Sequence, residues 1–105
     1  MKELTLEKDA NLETLAATGW SDNAWTVSLV AGVDRSVAVP TGAKYAVFSA
    51  KAAFYTAPDR SAEVTGDILD GTAPKLMPGI VPVSGVTDLH LFAESDTIIN
   101  IEWWG

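Results

Sequence analysis

"INIEWWG", Ile99 to Gly105, is the stretch whose facing decides how this chain folds. In an extended strand successive side chains point to opposite sides, so Trp103 and Trp104 cannot both enter one core. Ile99, Ile101 and Trp103 then form the inward side. Asn100, Glu102 and Trp104 form the outward side, and Trp104 is expected to be covered by another subunit or by an arm of the chain.

The same alternation recurs upstream. "WTVSLVA" sets Trp25, Val27, Leu29 and Ala31 against Thr26, Ser28 and Val30, the pattern of a half-buried strand. "RSVAV" leads to "PTGA", where Pro40 presets a turn dihedral and Gly42 supplies positive φ. "KYAVFS", "AFYTA" and "VTDLHLFA" continue the β signal. Residues 63–76 read as a long loop with one short strand. Pro78 and Pro82 lack an N–H for a central ladder, so "MPGIVPVSG" belongs at a sheet edge. Val37, Tyr45, Val47 and Phe48 lie 44 positions before Val81, Leu89, Leu91 and Phe92, a similarity that implies two three-strand blocks facing each other. The expectation is one all-β domain over residues 20–105, a single antiparallel β-sandwich with a Greek-key or jelly-roll-like path. At 105 residues, one core is what the length supports.

Residues 1–19 are polar and acidic and read as an N-terminal arm, extended or partly helical. Leu12, Leu15 and Ala16 sit at i, i+3 and i+4, with Asp9 or Asn11 as cap. So short a helix is marginal alone, so the arm is expected to order against its own body or a neighbouring subunit.

Seven basic against fourteen acidic side chains give a formal charge of −7, which repels phosphate backbones and anionic lipid. No nucleic acid or membrane partner is expected. The first residues lack the basic end and apolar run of a signal peptide, so the chain is expected to be made in, and released into, cytoplasm. Without cysteine and with one histidine, a transition-metal site is disfavoured, and neither metal nor cofactor is expected. His90 alternates with Leu89 and Leu91 and is read as a solvated or interface residue rather than a catalytic base. Asp67 with Asp70, and Glu94 with Asp96, are carboxylate pairs beside turn residues, where acids commonly solubilise and shape loops. The expectation is a protein without catalytic residues.

Tryptophan usage is the unusual feature, with four in the chain. The indole covers a large area with few rotors to freeze, and it is enriched at binding hot spots. Trp25 and one terminal Trp are expected to fill the core. Trp104 is the first candidate for an intersubunit or arm contact and Trp20, at the junction of arm and body, the second; Trp103, Leu12, Leu15 and His90 complete the candidate interface.

The run "WTVSLVAGVDRSVAVPTGAKYAVFSAKAAFYT", with the later "LMPGIVPVSGVTDLHLFA", resembles small tailed-phage virion proteins similar to capsid decoration or cement proteins. The resemblance spans roughly residues 26–101 and is one of pattern. It implies a non-enzymatic β-sandwich on the outer capsid surface, bound to the major capsid protein and to itself as a dimer or trimer. A reading from another class is a carbohydrate-binding or fibre-like host-attachment module, stacking Tyr45, Tyr55, Trp20 and Trp104 on sugar rings.

Overall fold

The computed structural model describes residues 1–3 and 20–105, together with the backbone of two short strands at the start of the chain. These are β1 (Leu6–Lys8) and β2 (Thr14–Thr18), an antiparallel ribbon that joins neither main sheet. The helical turn expected at Leu15 and Ala16 is therefore a strand. A helix of one or two turns gains few hydrogen bonds for the residues it fixes, whereas β1 supplies β2 with a partner, pairing Leu6 with Thr18 and Lys8 with Thr14. Leu12, Asp9 and Asn11 lie outside the described residues.

Eight strands follow: β3 (Ala24–Leu29), β4 (Arg35–Ala38), β5 (Tyr45–Ala50), β6 (Tyr55–Pro58), β7 (Lys75–Leu76), β8 (Ile80–Pro82), β9 (Asp88–Phe92) and β10 (Thr97–Trp104). They form two four-stranded antiparallel sheets, in the order β3-β10-β5-β8 and β4-β9-β6-β7. From β3 to β10 every connection but β6–β7 passes from one sheet to the other, which is the strand order of a jelly roll. The proline-bearing β8 pairs only with β5 and so lies at an edge, where a missing N–H is harmless. At the turn after β4, Gly42 has φ +88° and Ala43 N–H donates to Pro40 O at 3.1 Å. A left-handed backbone at that position suits glycine alone among common residues.

The two sheets bury one face each. Ile99 stands opposite Val27 and Ala50, Ile101 opposite Trp25 and Phe48, and Trp103 opposite Ala46. With Leu29, Val81, Leu89 and Leu91 these side chains make the main core, as the alternation of both β3 and β10 implies. Phe48 meets Phe54 at 5.5 Å between ring centroids.

The similarity at an offset of 44 residues does not mark equivalent positions. Tyr45 and Val47 line up with Ala46 and Phe48 reversed: Ala46 and Phe48 point inward, Tyr45 is exposed, and the residues matched to Tyr45 and Val47 are the buried Leu89 and Leu91. A strand has period two, so an alignment wrong by one residue exchanges its faces. Nor do two blocks face each other; β4, β5 and β6 alternate between sheets, as do β8, β9 and β10.

A second, smaller core forms outside the β4-β9-β6-β7 sheet. The β6–β7 connection brings fully buried Ala62 onto Ala57 and Phe92, with Tyr55 beside them. Tyr55 and Phe92 are cross-strand partners with centroids 6.3 Å apart. This outer layer positions the histidine described next.

Candidate interaction surface

The six candidate interface residues have different fates. Trp103 is fully buried, its indole edge-on to Trp25 at 5.1 Å and 70°. Trp104 points away from that core, yet it is only 2% exposed. Its outward side, expected to be covered by another subunit or by an arm of the chain, is closed within the single chain. Lys2 O accepts from Gly105 N–H at 2.7 Å, the Met1 backbone lies against Gly105, and the end of the Met1 side chain reaches Gly42. Residues 1–3 thus pass beside the end of β10, an internal contact that alternation within one strand cannot reveal. Trp103 and Trp104 are therefore not available as an outward-facing adhesive pair. Both indole N–H groups lack an acceptor among the described residues.

Trp20, at the junction of arm and body, has 89% of its surface exposed. Its chain neighbours are firmly held. Ser21 Oγ donates to Trp103 O at 2.6 Å, and Asp22 Oδ1 accepts from the Lys2 backbone N–H at 3.1 Å. The hairpin thus leaves and rejoins the body between two tied points. Leu15 lies in β2, and Leu12 falls outside the described residues.

His90 faces away from Leu89 and Leu91, as strand alternation requires, but it is not a free surface group. Its Nδ1 lies 2.7 Å from Asp34 Oδ2, with both side chains 22% exposed. Asp34 Oδ1 also accepts from Ala62 N–H at 2.8 Å. One carboxylate from the β3–β4 loop thereby joins β9 to the segment overlying the outer core. The sequence carried a signal for this in the proximity of Asp34 to a strand start, but its partners are 28 and 56 residues away.

One carboxylate of each pair pins a loop. Asp96 Oδ1 accepts from Ala31 N–H at 2.8 Å. Asp70 Oδ1 accepts from both Thr72 N–H at 3.0 Å and Thr72 Oγ1 at 2.6 Å. The Thr72 hydroxyl, followed by its amide, holds the Asp70 carboxyl below its ordinary value of 3.8. A carboxyl lowered on folding stabilises the folded chain above its unfolded pKa, and that contribution is lost as pH falls through the folded value. Thr72→Ala is expected to move the Asp70 titration back up towards the ordinary value, read by carbon-detected NMR of its carboxyl, and an unmoved titration refutes the role given to Thr72.

Several exposed apolar side chains had no distinct signal in the sequence. Leu69 is 91% exposed in the β6–β7 connection, while Leu76, Met77 and Ile80 are about half exposed where β7 passes to β8. Val30 and Ile98 flank a shallow concavity at the other edge of the β3 sheet. Hydrophobic periodicity finds positions that face a core, and loop positions such as Leu69 carry no period to read. Among the described residues no group of three or more His, Asp or Glu side chains could hold a metal ion. No helix there is long and apolar enough to cross a membrane.

The fold and surface together define a jelly-roll β-sandwich with an appended hairpin. Comparison with protein families, curated proteins and solved structures finds no match to the chain.

Proposed function

We propose that the chain is a non-enzymatic virion structural protein of the capsid-decoration type, docking on the outer face of a shell built from a major capsid protein. The observation that carries this reading is Trp20. A large indole 89% exposed is a natural anchor for a partner, and it follows directly from backbone fixed at Ser21 and Asp22. An anchor on restrained backbone loses little freedom when it docks, so more of its contact energy appears as affinity. The resemblance of residues 26–101 to small tailed-phage virion proteins supports the same class, and a net charge of −7 suits a surface facing away from packaged DNA. Many copies on one shell would stabilise it through repeated modest contacts.

The test uses purified particles lacking the protein. Added wild-type chain is expected to cosediment with them and raise their heat tolerance. Trp20→Ala is expected to bind about tenfold more weakly, a loss typical of a moderate aromatic contact, while the thermal midpoint of the isolated protein stays unchanged because the side chain packs on almost nothing. Particles indifferent to the protein, or a Trp20→Ala chain that binds equally well, would overturn the reading. A saturable change in Trp fluorescence with host glycans, absent in Trp20→Ala, would favour attachment to sugars instead.

A further inference from the structure

The geometry points to a binding site for a small carboxylate with an apolar body, in the cleft between β6, β7 and β8 on the open side of the sandwich. There the two sheets end in the edge strands β7 and β8, and a cavity of about 240 Å³ lies between them. Its walls include Val81 and Leu89, both buried core residues, together with Pro58 and Pro82. Arg60 and Lys75 also line it.

Those two cations are the informative part. The whole chain holds only seven basic side chains against fourteen acidic ones, yet two of the seven border one cavity. Among the described residues neither has a carboxylate within ion-pair distance, the single such pair being His90 with Asp34. The acids closest in sequence are engaged elsewhere. Asp59 accepts from the Thr87 and Asp88 backbone N–H groups at 3.1 and 2.9 Å, and Asp70, which feels the Arg60 charge only weakly, takes its hydrogen bonds from Thr72. Arg60 Nε donates to Thr72 O at 3.2 Å, which steadies the guanidinium and leaves its two terminal nitrogens for an incoming anion.

Chemistry narrows the occupant from both sides. A bare inorganic anion would lose hydration against proline and aliphatic walls without full return. A purely apolar molecule would leave both cations unused. A carboxylate on a short hydrocarbon body satisfies the two halves together, with the planar Arg60 fork able to take both oxygens. The volume falls at or below the small end of ligand pockets, about 300 to 1,000 Å³, which selects a fragment-sized acid rather than a sugar chain. This site is separate from Trp20 and does not rest on the capsid reading.

The test is an NMR titration of the full, isotopically labelled chain with hexanoate, hexanamide and inorganic phosphate. Hexanoate is expected to shift the amides of Ala57, Ala73, Val81 and Leu89 saturably, with hexanamide about tenfold weaker because it lacks the charge. Phosphate is expected to produce no saturable shift there. In the Arg60→Gln/Lys75→Gln variant, both side chains being exposed and outside the core, hexanoate should fall to the level of hexanamide. Equal binding of acid and amide by the wild-type chain, phosphate binding as tightly as hexanoate, or shifts scattered away from the cleft would each overturn the proposal. If the variant fails to fold, the wild-type ranking of the three probes still decides it.

Discussion

Replacing Trp103 with alanine is expected to remove a large share of the stability of the fold. The indole is fully buried, stacks edge-on with Trp25 and stands opposite Ala46 in the centre of the main core. Truncating a buried Trp to Ala costs about 3 to 5 kcal/mol through lost burial and the cavity left behind. A domain of this size holds roughly 5 to 15 kcal/mol in total. With a urea slope of roughly 2 kcal/mol per molar, the midpoint should fall by about 2 M. Trp103→Phe should cost much less, because the indole N–H has no acceptor among the described residues and its removal breaks no hydrogen bond there. Equal losses for Phe and Ala would mean that the nitrogen is bonded after all. Trp20→Ala serves as the control, since it removes an equally large side chain from the surface.

The second large effect is expected at Asp34. Asp34→Ala takes away the acceptor of the Ala62 N–H and the partner of His90 together. Ala62 is itself fully buried, so its amide loses its bond without gaining water. Hydrogen bonds to a charged group contribute about 1.5 to 3 kcal/mol each, and discounting the pair for partial exposure gives a loss of about 2 kcal/mol. The damage should be local before it is global. Hydrogen exchange at Ala62 is expected to quicken by about thirtyfold, the equivalent of that energy, while amides of β10 change less. Asp34→Asn, which keeps an oxygen for Ala62, should recover about half of the loss. Exchange at Ala62 that does not respond to either change would show that the segment is held by packing alone.

The contrast between these two sites also measures how far the sequence could be read. The facing of Trp25, Val27, Leu29, Ile99, Ile101 and Trp103 follows from period two within single strands, and each lies where that period puts it. A sandwich assembled from such strands, with proline-bearing β8 at an edge, was legible for the same reason. Contacts that depend on distant chain were not. Trp104 is buried within the single chain, beside an end where Lys2 bonds Gly105 from about a hundred positions away, and the link of Asp34 to His90 spans 56. The β6–β7 connection has no period because its glycines, proline and acids make turns, so nothing in it announced that Ala62 would close a second core. Residues 14–18 show a subtler failure, since Leu15 and Ala16 fit a helical spacing that a pairing partner overrides. On the candidate surface Trp20 is exposed, while Trp103 lies inward as its period puts it and Trp104, on the other side of the strand, is closed within the chain.

The central place of β10 carries a consequence for how the protein is made. Among the described residues β3 finds its only sheet partner in β10, and β5 has β10 on one side with the three-residue β8 on the other. While the ribosome is still adding residues 97–104, the β3 sheet exists as separate pieces with Val27, Leu29 and Phe48 uncovered. Long-range pairings of this kind fold slowly, and the nascent chain presents bare strand margins until β10 emerges. Chaperones, or crowding by sister chains, therefore meet this sequence at its stickiest just before β10 pairs.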